Sequence, residues 1–115
     1  ICDVAKKMLE EMGYDVVTTS HGEEALLELE KLTREKKKIS GVFLDLTVPG
    51  LMGGRELIVQ IRKRYPSLPA FVSSGHSEDP IMSSPKEYGF TASLHKPFRK
   101  VELAQVLNEN LRGRL

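Results

Sequence analysis

The sequence predicts an α/β fold, a doubly wound parallel sheet with helices on both faces. Three observations carry that expectation. Short β-branched or apolar segments alternate with amphipathic ones, in the order α-β-α-β-α-β-α-β-α. Such alternation means right-handed crossovers and parallel strands. Residues 41–46, Gly-Val-Phe-Leu-Asp-Leu, are almost continuously apolar, which suits a strand buried on both faces. The length, 115 residues, is that of one domain.

Each element has a local reason. Over 3–12, Val4, Met8 and Met12 recur every four residues with Ala5 and Leu9 beside them, while Lys6, Lys7, Glu10 and Glu11 fill the opposite side; this is a helical stripe, and its methionines read as core filler. Asp3 suits the N-cap and Gly13 the left-handed stop. Residues 15–19, Asp-Val-Val-Thr-Thr, are a short strand, followed by a turn at Ser20-His21-Gly22. A second helix over 23–36 buries Ala25, Leu26, Leu29 and Leu32 and ends in Lys36-Lys37-Lys38, a solvated basic end. After the strand at 41–46 comes a Gly- and Pro-rich loop from Thr47 to Gly54. The helix at 54–64 turns Leu57, Ile58 and Ile61 inward, and 69–73 is the next strand. Residues 79–88 make a short helix that Pro80 can start and Pro85 interrupts. A strand at 90–94 and a helix at 99–111 complete the order. Val101, Leu103, Ala104, Val106, Leu107 and Leu111 occupy more than one face of that last helix, so one face is core and another is a candidate partner surface.

Composition excludes several functions. Lys+Arg is 17 and Asp+Glu 16, a net charge of +1, without the basic excess of a bulk nucleic-acid binder. Cys2 is the one cysteine, so no internal disulfide forms, and a reducing, cytoplasmic setting is expected. Strictly apolar runs such as Val42-Phe43-Leu44 are far shorter than a bilayer requires, and no membrane contact is expected of this domain. His21, His76 and His95 have no helical metal-ligand spacing. Gly50, Gly53 and Gly54 lack the lysine of a phosphate-binding loop.

Ligands of open α/β sheets bind beyond the carboxyl ends of the strands. Strand 41–46 carries Asp45 near that end, strand 69–73 is followed by Ser74, and strand 90–94 leads through His95 to Lys96. A carboxylate in so apolar a run needs a cation or several donors. The three residues leave two readings open: a structural Asp–Lys pair, or a nucleophilic aspartate for phosphoryl transfer.

The chain resembles the receiver domain of two-component response regulators, along essentially its whole length. The resemblance rests on Gly13-Tyr14-Asp15-Val16, Gly22-Glu23-Glu24-Ala25-Leu26, Asp45-Leu46-Thr47-Val48-Pro49 with Gly53, Ser74-Gly75, Tyr88-Gly89-Phe90 and Lys96-Pro97-Phe98, with 29 residues from Asp45 to Ser74 and 22 more to Lys96. The stretch 73–80 is similar to receivers fused to hybrid sensor kinases. The resemblance implies a flavodoxin-like sheet of order 2-1-3-4-5. It implies that Asp45 takes a phosphoryl group from the phosphohistidine of a histidine kinase or phosphotransfer domain. Ser74 would bond a phosphoryl oxygen, Lys96 would neutralise charge, and the Lys96-Pro97 peptide would be cis. The cofactor implied is Mg²⁺, held by Asp45 and the backbone carbonyl of Thr47. The domain is then a phosphoprotein module of a phosphorelay rather than an enzyme, beyond catalysing its own phosphotransfer and dephosphorylation. Residues 79–111 would form its output face.

The sequence departs from that pattern in places. Receivers begin with a central strand ending in an acidic pair that ligates Mg²⁺. Here Ile1 falls directly before the first helix, and Asp3 comes too late to be that pair. Residues 1–115 therefore read as an N-terminally incomplete receiver. The apolar burial such a strand supplies is comparable to the whole stability of a small domain. The expectation is residues preceding those given, a truncated and rearranged chain, or a strand swapped in from another chain as in a dimer. Met52 stands where the family often has Asp, and Ser93 where many receivers have a switching Tyr or Phe; Phe90 lies too early to replace it. Thr47 and His76, two residues after Asp45 and Ser74, would flank the water that removes the phosphoryl group and set its lifetime. A competing reading is a receiver-like docking module that is never phosphorylated. A small flavodoxin-like cofactor binder is disfavoured by the lack of aromatic and Gly-rich loops.

Overall fold

In a computed structural model of the chain, the described residues are 2–13, 22–37, 39, 41–46, 53–75 and 79–111. Helices α1 (Cys2–Glu11) and α2 (Gly22–Arg34) precede strand β1 (Val42–Asp45). Helix α3 (Gly54–Arg64), strand β2 (Ala70–Ser74) and the short helix α4 (Pro80–Ser83) follow. A 3-10 turn (Pro85–Tyr88), strand β3 (Ala92–His95) and helix α5 (Lys100–Leu111) complete the order. The strand expected over 15–19 lies outside the described residues.

The three described strands are parallel, in the order β1-β2-β3, which is the 3-4-5 half of the order expected above. Register pairs Val42 with Ala70 and Asp45 with Ser73, and Phe71 with Ala92 and Ser74 with His95. Alternate strand residues point to opposite faces, and two apolar clusters result. On one face Leu44, Ala70 and Val72 meet Leu29 of α2, Leu57, Ile58 and Ile61 of α3, Ile81 and Met82 of α4, and Phe90. On the other, Phe71 and Leu94 meet Leu103 and Leu107 of α5, with Met8, Leu9 and Met12 packed against them. The sheet is therefore covered on both faces, as its sequence predicts.

The expected stripes hold with local corrections. Leu57, Ile58 and Ile61 are all buried, and Met8 and Met12 are core filler. Helix 79–88 divides where Pro85 falls: Asp79 caps α4 by accepting the Ile81 N–H, and Pro85 opens the separate 3-10 turn. In the last helix Val101 is 61% exposed while Leu103 and Leu107 are buried, so its apolar positions do divide between core and surface.

Arg62 clamps the amino-terminal edge of the sheet. Its Nε donates to the Gly89 carbonyl at 2.7 Å, and its Nη1 to the carbonyls of Tyr65 at 2.9 Å and Leu68 at 2.8 Å. Gly89 sits at φ +96°, and a Cβ there would come within 3.1 Å of Ile58 and 3.3 Å of Arg62. Burial lowers the Arg62 pKa from its ordinary value, yet a guanidinium stays charged in proteins. Arg62→Met keeps the aliphatic stem and removes the donors to the three carbonyls, of which Tyr65 keeps the Leu68 N–H. The expected loss, about 2–4 kcal/mol in urea unfolding, is not recovered by Arg62→Lys, whose single ammonium lacks the fork.

Candidate functional site at the carboxyl edge of the sheet

Asp45 is the last residue of β1, and its side chain is mostly enclosed, at 16% exposure. A carboxylate in that position requires compensation. It receives it from Lys96, whose ammonium pairs with Asp45 Oδ1. Lys96 comes from beyond β3, two strands away. Two backbone bonds past the strand ends hold it there: the Leu46 N–H donates to the Ser73 carbonyl at 3.0 Å, and the Lys96 N–H to the Ser74 carbonyl at 2.9 Å. The Lys96-Pro97 peptide is cis.

Of the three residues singled out from sequence, Asp45 and Lys96 thus touch. Ser74 is buried at the end of β2, opposite His95 and one backbone bond from Lys96. The structure adds a hydroxyl that the sequence reading passed over. Ser73, 1% exposed, donates to Asp45 Oδ1 at 3.3 Å. Its sequence signal is a hydroxyl directly after the apolar run Ala-Phe-Val and next to Ser74. Thr47 and His76 lie outside the described residues, as do His21 and Met52.

Helix α3 begins against this edge. A Cβ on Gly54 would lie 2.7 Å from the Asp45 carbonyl oxygen and 3.2 Å from Leu44 Cβ, so the position admits only glycine without a shift of the helix. The Gly53 N–H donates to Glu56 Oε1 at 2.9 Å, tying down the first turn. Arg55 donates its N–H to the Leu46 carbonyl at 3.2 Å, and its guanidinium pairs with Asp79, the cap of α4. Where many receivers carry an aromatic, Ser93 Oγ donates to the Met82 carbonyl of α4 at 2.7 Å. Phe90 is buried in the core.

No group of three or more His, Cys, Asp or Glu that could hold a metal occurs among the described residues. They offer Mg²⁺ the Asp45 carboxylate, already paired with Lys96, whereas the ion takes a near-octahedral oxygen shell. The described residues therefore do not by themselves fit Mg²⁺. A cavity of about 440 Å³ opens at the opposite, amino-terminal edge, lined by Arg62, Leu68, Lys86, Phe90, Thr91 and Asn110. It is remote from the Asp–Lys pair, and its Arg62 is committed to the clamp described above. No helix among the described residues is long and apolar enough to cross a membrane.

Comparison with known proteins agrees with this geometry. The family model for the response regulator receiver domain matches residues 1–108. The transcriptional regulatory protein GlrR of Escherichia coli is 30% identical over 99 residues, which are 86% of this chain and 21% of that protein. The sensor kinase CckA of Brucella abortus is 32% identical over 108 residues, 91% of this chain and 11% of that protein. The crystal structure of the receiver domain of NtrX from Brucella abortus superposes with a TM-score of 0.84 at 26% identity, covering 96% of this chain and 88% of that one. The chain spans about a fifth of GlrR's length and about a tenth of CckA's.

The Asp45–Lys96 pair has a measurable signature in stability. Lys96→Met leaves an enclosed carboxylate without its cation and is expected to cost about 1–3 kcal/mol in urea unfolding. Adding Asp45→Leu removes the stranded charge, so the double variant is expected to be more stable than Lys96→Met alone. A double-mutant cycle measures the coupling; independent, additive losses would show that the two side chains do not pair.

Proposed function

From the premise that the chain belongs to the response regulator receiver domain family, we propose that it is a phosphoacceptor module whose acceptor is Asp45. The observation that carries the reading is the Lys96 ammonium on Asp45 Oδ1 at the carboxyl edge of a parallel sheet. The donor is the phosphohistidine of a histidine kinase or histidine phosphotransfer domain. An Asp45 oxygen attacks phosphorus, the P–O bond forms as the P–N bond breaks, and the leaving imidazole keeps the electron pair and takes a proton. The product is an acyl phosphate.

Phosphoryl transfer is mostly positioning and electrostatic stabilisation. The strand ladder fixes Asp45 in place. Lys96 offsets the negative charge that collects as an anionic nucleophile meets an anionic donor. Ser74, at the adjacent strand end, donates to a phosphoryl oxygen after transfer. The family resemblance implies Mg²⁺, which Asp45 and the Thr47 carbonyl would hold only together with ligands beyond the described residues, and which would supply further screening of that repulsion. The module does no further catalysis beyond losing the phosphoryl group again by hydrolysis.

Output passes through residues 79–111. That face carries Tyr88 and Val101, 45% and 61% exposed, and it is tied to the start of α3, beside Asp45, by Arg55–Asp79. A phosphoryl group adds charge and acceptor oxygens, and such a local change biases a loop–helix element between two arrangements. The placement within a regulator or a hybrid sensor kinase in the cytoplasm follows the same family resemblance.

The test is modification of the full-length protein by a small phosphodonor such as acetyl phosphate, with and without Mg²⁺, read by intact mass and peptide mapping. Gain of one phosphoryl group at Asp45, dependent on Mg²⁺ and abolished by Asp45→Asn, is the expected result. Lys96→Met is expected to lower the rate by about tenfold or more, the scale of losing one charged donor. A wild type indistinguishable from Asp45→Asn would mark the Asp45–Lys96 pair as structural and the domain as a docking module.

A further inference from the structure

We propose that Ser73 is a positioning residue for the Asp45 carboxylate: its hydroxyl holds Oδ1, leaves Oδ2 as the oxygen that takes the phosphoryl group, and hastens the group's release. The inference rests on the phosphoacceptor reading above and assigns it one more residue.

Ser73 sits on the central described strand, register-paired with Asp45. It is 1% exposed, beside Val72 and Phe71, which are also buried. A hydroxyl in that environment destabilises the fold unless it finds a partner. Its side-chain partner is Asp45 Oδ1, at 3.3 Å. Lys96 binds that same oxygen. Both contacts from the described residues thus fall on Oδ1, and neither falls on Oδ2. The separation is long for an O–H···O bond, as fits an acceptor it shares with a closer ammonium.

The sharing changes once Oδ2 is phosphorylated. Negative charge then concentrates on the phosphoryl oxygens and draws the Lys96 ammonium toward them. Oδ1 becomes the carbonyl oxygen of an acyl phosphate, and Ser73 is the donor left facing it. In hydrolysis a water oxygen bonds to phosphorus, the P–Oδ2 bond breaks, and its electron pair returns to the carboxylate. The water's protons leave with inorganic phosphate and solvent. Charge reappears on Oδ1 as well as Oδ2 in that step, and a donor aimed at developing charge lowers the barrier. The Ser73 hydroxyl therefore shortens the lifetime of the phosphorylated state.

The experiment compares wild type, Ser73→Ala and Ser73→Thr in the full-length protein. Each is loaded with acetyl phosphate, freed of donor, and followed by intact mass. Ser73→Ala is expected to lengthen the phosphoryl lifetime about fivefold, the scale of one ordinary net hydrogen bond. Ser73→Thr keeps the hydroxyl and is expected to restore the short lifetime, which a purely structural role would not produce. If Ser73→Ala lowers the thermal melt, Ser73→Cys, similar in shape and a weak donor, takes its place with the same expectation. An unchanged or shortened lifetime in the variant that loses the hydroxyl overturns this inference and leaves the phosphoacceptor reading standing. A wild type that accepts no phosphoryl group overturns both.

Discussion

The structure is organised around a single electrostatic requirement: a carboxylate at the end of a nearly continuous apolar strand must be met by a cation. Asp45 follows Val42-Phe43-Leu44, and its cation comes from Lys96, which is 51 residues later in the chain. Strands β1 and β3 do not pair; β2 lies between them. Adjacent strands are about 4.8 Å apart, so the lysine stem must reach across the end of β2 to the strand beyond. This geometry requires parallel strands ending at a common edge, with Lys96 held to the end of β2. The register and the bond from the Lys96 N–H to the Ser74 carbonyl provide both. The ion pair is thus a product of sheet topology and a check on it. If the sheet paired in another order, Asp45 would be stranded.

The surroundings of the pair connect it to the helices of one face. Gly54 lets α3 start in contact with the Asp45 carbonyl, where any side chain would collide. The next residue, Arg55, bonds Leu46 through its backbone and Asp79 through its guanidinium. Asp79 is also the N-cap of α4. Farther along α4, the Met82 carbonyl accepts from Ser93 of β3. These are contiguous physical contacts from the end of β1 to α4. A four-residue helix has little internal stability of its own, so α4 depends on its cap, on the Ser93 bond and on the burial of Ile81 and Met82.

Much of this was legible from the residues. Apolar spacing identified α3 and its buried Leu57, Ile58 and Ile61, and the apolar run 41–46 identified a strand covered on both faces. Pro85 correctly signalled an interruption, because a proline inside a helix removes a donor and clashes with the preceding turn. The pairing of Asp45 with Lys96 followed from asking which charges fall at strand ends. Ser73 did not follow. In sequence it is a small residue inside a strand, and only the register that places it opposite Asp45 gives it a role. Arg55–Asp79 and Ser93–Met82 were hidden for a similar reason. They join different elements, 24 and 11 residues apart in the chain, through side chains whose identities carry no periodic signal.

The charge balance of the pair bears on the proposed phosphoacceptor role. Asp45 and Lys96 together are neutral, and the described residues bring no second cation onto Asp45. A phosphoryl group would raise the negative charge on Asp45 to about −2, by analogy with other phosphorylated side chains. One ammonium would then leave an excess of about one negative charge at an edge that is only partly open to water. That excess must be met by neighbouring donors or by a bound cation, or the groups around it must move. Lys96 cannot hold Oδ1 and follow the phosphoryl oxygens with equal strength. In the proposed reading, a shift of the ammonium toward them would leave Oδ1 to Ser73, on β2. A site that began with surplus positive charge would absorb the same modification with less rearrangement. A near-neutral pair would make such an added charge structurally consequential.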